Sequence, residues 1–268
     1  MLSDSSALPG NISVAQKFFK IYKNSIKSRK YEEATNIKTV LTDLVENNID
    51  TTAENMCLFG IKLQEDKLFL ESILIFDAAS TLSKKIKIPE YKLELIQCCV
   101  HGMTWTNAVM IEKDPDMKVV VKDYVLPLMH DKLHYMESTS SVSEQWKCLQ
   151  VSWVLACIGC SQRWVDQLKE AEEKLGEGLK RMDEGFGENK IKRKIYGDLL
   201  NSLGDVCNDM SRYKEAASFY KQAIAAKKAA TGYDGDEEVR KLSIELREKK
   251  RDIERTENNL RRVQQKIK

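Results

Sequence analysis

The sequence predicts an all-α protein made of stacked helical hairpins and closed by a long charged helix. Three observations carry this. Proline is confined to four positions in 268 residues, while Lys, Glu, Leu and Ala are plentiful, a composition that suits helices. One pattern of small and large residues recurs: Gly60, Ser72, Phe76, Ala79; Gly159, Ala171, Leu175, Gly178; and Gly204, Ala216, Tyr220, Ala223, each at the same offsets from its glycine. The last stretch repeats Val239, Leu246, Ile253, Leu260 and Ile267 every seventh residue, a helical spacing.

Each place in the recurring pattern has a physical reason. Glycine on a first helix lets a second cross it closely. The small residue twelve positions on sits at that crossing. The large residue at sixteen fills the space between hairpins, and the small one at nineteen admits the next helix. The best-formed copy is GDLLNSLGDVCNDMSRYKEAASFYKQAIAAKK, residues 197–228.

In chain order, 1–12 reads as a flexible lead, 13–235 as the array and 236–268 as the closing helix. Residues 13–29 place Val14, Phe18, Phe19, Tyr22 and Ile26 on one helical face, and a second helix is expected through Val45. Tyr31 and Ala34 echo Tyr213 and Ala216, so this first pair reads as a degenerate copy. Residues 53–86 form a cleaner one. The helix expected over 91–109 opens a unit that departs most from the pattern, because EKDPDM (112–117) interrupts it. Pro127 falls within a helical stretch, where a kink or a late start is expected. STSSVS (138–143) is a polar linker in which Ser141 or Ser143 caps the next helix. GFGEN (185–189) and TGYDGDEEV (231–239) read as loops between pairs.

These residues resemble the tetratricopeptide repeat: Leu200, Leu203, Gly204, Ala216, Tyr220 and Ala223 match its pattern, with Leu155, Ile158, Gly159 and Ala171, and Met56, Phe59 and Gly60, in earlier units. The distance from Gly159 to Gly204 exceeds the usual 34-residue unit, and the extended spacing resembles kinesin light chains. The resemblance implies a right-handed α-solenoid acting as a non-catalytic interaction scaffold or adaptor, holding a peptide or helix in a groove lined by the first helix of each pair. Carried over, that groove is Trp153, Ala156, Cys160 and Arg163, then Asp198, Asn201, Asp205 and Asn208, preceded by Glu54, Cys57, Ile61 and Gln64. Trp153 is the expected apolar anchor, and the acidic end suits a partner bearing Lys or Arg. Asn201 and Asp205 disfavour the docking of a carboxylate terminus.

Other function classes find little support. The formal net charge of +2 gives no whole-chain case for nucleic acid, and the basic runs lack interleaved aromatics. No stretch is apolar enough for a membrane span. Seven cysteines, an odd number spread over helical segments, read as reduced thiols in the cytoplasm. Cys157 and Cys160 form a CxxC within a helix and without a second ligand pair. His130 and His134 share a helical face but lack the glutamate of a zincin. No cofactor, metal or catalytic residue is therefore expected. The alternatives are a vesicle-fusion-type helical adaptor, or a metal- or thiol-dependent enzyme built on His130, His134, Cys157 and Cys160. In the tail, Lys249 and Thr256 break the apolar d positions of the heptad. Capping is expected over 236–247, and self-association through 239–267 as a coiled coil that these polar sites would put in register.

Overall fold

A computed structural model describes residues 20–32, 34, 49–230 and 240–267. The lead at 1–12, the expected second helix through Val45 and the loop 231–239 lie outside the described residues. Among the described residues every regular element is helical. The chain divides into two compact units, Met1–Leu128 and Met129–Lys268.

In the first unit, residues 20–27 are helical and bury Tyr22 and Ile26. Helices α1 (Ile49–Glu65) and α2 (Phe69–Ser83) form a hairpin, and α3 (Pro89–Lys113) follows. The Phe76 ring explains the spacing. A Cβ on Gly60 would meet it at 2.7 Å and one on Gly102 at 2.4 Å, so the ring fills the gap between two first helices that only glycine leaves open. Ser72, twelve residues after Gly60, donates to the Gly60 carbonyl at 3.0 Å. Cross-links at matching heights tie α1 to α3: Gln64 donates to the Gly102 carbonyl (2.8 Å) and to Thr106 Oγ1 (2.6 Å), and Tyr91 donates to Glu54.

After α3 comes a short turn, α4 (Met117–Val120), and then a π-helical segment, Val121–Val125. This is how the chain accommodates Pro127. Proline has no N–H for the α pattern, and the wider turn, with the Leu126 N–H bonded to the Val121 carbonyl, takes up the misfit before α5 (Leu126–Ser138) begins.

The second unit contains α6 (Glu144–Trp164), α7 (Leu168–Phe186), a 3₁₀ turn (Gly187–Lys192), α8 (Lys194–Asp209), α9 (Tyr213–Ala229) and α10 (Arg240–Ile267). Consecutive helices pack as pairs, α6 with α7, α8 with α9, and α9 with α10. Ser143 caps α6 by accepting from the Trp146 N–H at 3.3 Å. The glycine rule holds again. Added Cβ atoms would meet Leu175 from Gly159 (2.7 Å), Tyr220 from Gly204 (2.6 Å) and Leu199 from Gly178 (2.7 Å). Buried Leu175, Leu199, Leu203 and Val206 form the core between these pairs.

The turns inside the hairpins are copies of one another. Lys67, Asp166 and Ser211, each seven residues past its glycine, have φ near +60°, as does Arg29 in the degenerate first pair. Behind each, a backbone N–H reaches the carbonyl five residues earlier: Lys30 to Ser25, Leu68 to Leu63, Gln167 to Gln162, and Arg212 to Cys207, at 2.7–2.9 Å. These are Schellman closures, in which one left-handed residue satisfies the last carbonyls of a helix. Four copies of one turn establish the repeat independently of side-chain pattern.

Candidate helix-binding face

The residues expected to line the groove lie on α6 and α8, which run side by side in parallel. Three contacts at nearly constant separation set their register: Lys194 Nζ lies 5.2 Å from the Trp153 ring centroid, Cys160 Sγ is 3.4 Å from Ser202 Oγ, and Arg163 Nη1 donates to Asp205 at 3.1 Å. Arg163 also pairs with Asp209. Trp153 is half-buried. Burial pushes the Cys160 thiol up, Asp205 adds to this, and the Ser202 contact opposes it. A raised thiol is a poorer nucleophile.

Asp198, Asn201, Asp205 and Asn208 were expected to face an open groove. In the structure, α10 lies over them. Asn201 accepts from Thr256 Oγ1 at 3.0 Å, Asp205 from Asn259 at 3.3 Å, and Asn208 from Lys266 at 3.0 Å. Asp198 is linked through Lys227, whose ammonium lies 3.2 Å from Asp198 and 2.7 Å from Asp252. Contacts therefore climb α8 and α10 in the same direction. Against α9 they run the opposite way, from Lys227 near Asp252 and Thr256 to Tyr213 near Lys266. A helix parallel to the preceding first helix and antiparallel to the preceding second one occupies the place of the next unit's first helix. The tail completes the array by standing in for a repeat.

The capping expected over 236–247 falls on residues whose side chains lie outside the described ones. Beyond it, where pairing with a second chain was expected, docking contacts onto this chain run from Lys249 to Lys266. The d positions expected to seam with a second chain, Lys249, Thr256 and Val263, turn onto the chain's own α8 and α9. Thr256 is fully buried and Val263 nearly so, whereas Ile267 at an a position is 40% exposed. The reason lies in the polar members. Lys249 donates to the Lys228 and Ala230 carbonyls at the end of α9, where a cation meets the negative end of the helix. Thr256 sits between Asn201 and Lys227. In a symmetric coiled coil these groups would have no such partners.

Lys227 is the residue that the pattern missed. It is 3% exposed, and its stem passes Gly197, where a Cβ would come within 2.8 Å of it. Burial pushes the Asp252 carboxyl up, but the Lys227 charge and hydrogen bond, helped by Lys194 and Arg255, hold it below its ordinary value. Asp205 ends the other way. Burial dominates and raises it, although Arg163 and the Tyr220 hydroxyl, which donates at 2.7 Å, work against the shift. The only sequence signal for Lys227 was indirect: Gly197 precedes Gly204 by seven residues, and the tail had polar d positions waiting for a partner.

The residues weighed for chemistry do not converge. His130 is half-buried and His134 exposed, Cys157 is buried within α6, and Cys160 faces Ser202. Among the described residues no group of three or more His, Cys, Asp or Glu is placed to hold a metal, and no helix is long and apolar enough to cross a membrane.

No family model matches the chain, and no curated protein is similar to it. Among solved structures it is similar to BtubC (BKLC) from P. vanneervenii, with 11% identity and a TM-score of 0.49 over 94% of this chain and 90% of that one. Among the described residues the architecture is all-α, with helices packed in sequential pairs. Within this chain, the repeat is carried by the glycine contacts and the shared turns.

Proposed function

We propose that the protein is a non-catalytic interaction scaffold of the cytoplasm, whose α6–α8 face receives a helix or peptide from a protein partner. The observation that supports this is the seating of α10 on α8 and α9: the α8 side chains Asn201, Asp205 and Asn208, which orient one helix by hydrogen bonds, have the chemistry to orient another. Trp153, with Cys160 and Arg163 beyond it, is the contact region for a partner on α6. Asp198, Asn201, Asp205 and Asn208 form the end that selects by polar register. Helices placed by buried polar pairs gain specificity more than affinity, which suits an adaptor.

The tail in this reading is an intramolecular cap, and light scattering on the full chain should give the mass of one copy. A dimer that disappears on removal of 248–268 would restore the coiled-coil alternative. The partner face is tested with an array of immobilised helical peptides probed by purified protein. Peptides that hold wild type should lose about tenfold or more in affinity to Trp153→Ala, as expected for an anchoring aromatic, with helicity by circular dichroism unchanged. Equal binding by the two proteins would remove Trp153 from the site.

A further inference from the structure

The seat of α10 has a composition unlike the rest of the fold. Among the described residues of the tail, Val263 is the one large apolar side chain that is almost fully buried, against Cys207, Ala216, Ala217 and Tyr220, with Leu260 partly buried beside it. The other contacts are polar: Lys249 on the α9 carbonyls, Asp252 on Lys227, Thr256 on Asn201 and Lys227, Asn259 on Asp205, and Lys266 on Asn208. Water replaces such partners far better than it replaces an apolar core. Over the side chains described from Lys249 to Ile267, the seat therefore specifies its occupant mainly through polar partners, with Val263 and Leu260 as its apolar contact.

We propose that α10 is an exchangeable occupant, and that the seat on α8 and α9 accepts in its place a partner's amphipathic helix with the tail's own pattern. That pattern is an acidic residue, a hydroxyl residue four positions on, a carboxamide at seven and a β-branched apolar residue at eleven, as in Asp252, Thr256, Asn259 and Val263. This rests on the reading that the face binds helices, and it names the helix. The complementarity is specific. Buried Lys227 requires the acid, the Asn201 carboxamide takes the hydroxyl, Asp205 takes the amide, and the pocket formed with Cys207 and Ala217 takes the branched side chain. While the tail is docked it masks Asn201, Asp205 and Asn208, so release of the tail and capture of the partner are one event.

The experiment uses the full chain and a fluorescent synthetic peptide of residues 245–267. Asp252→Lys with Thr256→Lys sets two cations against Lys227 and should free the tail. Hydrogen exchange should then show α10 amides exchanging rapidly while those of α6–α9 stay protected. The freed-tail protein should bind the peptide at least about tenfold more tightly than wild type, whose own tail competes at high local concentration. Reversing the charges of exposed Arg251 and Glu254 should change neither readout. Three results would overturn the proposal: a tail that stays protected in the double variant, a freed-tail protein that binds no peptide, or equal affinity in both proteins. None of them bears on the Trp153 test, so exchange can fail while the scaffold reading stands.

Discussion

Helix α9 is held on its two sides by opposite means. Toward α8 the contact is apolar and close: Gly204 lies under the Tyr220 ring, with Leu200 and Ala223 buried beside it. Toward α10 an apolar contact of Val263 on Ala216 and Ala217 is joined by Lys227, Asp252 and Thr256, a buried charge with its partners. The first contact is what makes a hairpin fold. The second decides which helix may lie next to it, because a cation out of water tolerates few neighbours. One helix thus carries a structural face and a selective face, and each can be broken separately.

The largest effect should come from the structural face. Gly204→Leu drives a branched side chain into a ring that a Cβ alone would approach to 2.6 Å. Overpacking at a site this tight should cost about 3 kcal/mol and lower the thermal midpoint of the whole second unit. Unchanged melting would mean that Tyr220 moves aside freely and that the repeat pattern does not set the packing.

Breaking the selective face should cost less and should stay local. Lys227→Ala leaves Asp198 and Asp252 without their shared cation, but Asp198 keeps Lys194 and both carboxylates retain an edge to solvent. A loss of about 2 kcal/mol, below the usual cost of breaking a fully buried pair, should appear as faster hydrogen exchange in α10 with little change in the α6–α8 amides. A uniform loss of protection would show that the tail and the hairpins unfold as one block.

The two faces also differ in how legible they were. Gly60, Gly159 and Gly204 with their large partners at sixteen residues were readable because close approach leaves few choices of residue. The tail was readable as a helix, but its docked side was not: burial was sought at apolar heptad positions, whereas the seat buries Thr256 and engages Lys249 and Asp252. Asp198, Asn201, Asp205 and Asn208 share a face of α8 by their spacing, but a sequence has no direct sign of the segment that will cover them. The backbone conformation of the hairpin turns was not legible for a third reason. Their left-handed residues are Lys67, Asp166 and Ser211, not the glycine that usually marks such a position.

That departure supplies a smaller, stabilising test. At φ near +61° Ser211 carries a Cβ that glycine would not, and Ser211→Gly should raise stability by up to about 1 kcal/mol, partly offset by the freedom glycine gains in the unfolded chain. The gain should appear in denaturant unfolding of the hairpin while leaving α10 exchange unaltered. Destabilisation would mean that Ser211 is held by its side chain, whose Oγ lies 3.3 Å from the Tyr213 hydroxyl.

The finest distinction is in pH, because the carboxylates at the two ends of the seat are shifted in opposite directions. Asp252 is held below its ordinary value. Its contribution is complete above the unfolded carboxyl value of about 3.9 and is lost as pH falls through its lower folded value. Asp205 is raised, so it costs stability above its folded value and acidification relieves that cost first. As pH is lowered, the α6–α8 contact should therefore hold or firm slightly before α10 loosens, and α10 exchange, corrected for intrinsic rate, should rise only below about pH 4. Loosening of α10 near pH 6 would assign its hold to some group other than the Lys227–Asp252 pair and would place the selectivity of the seat elsewhere.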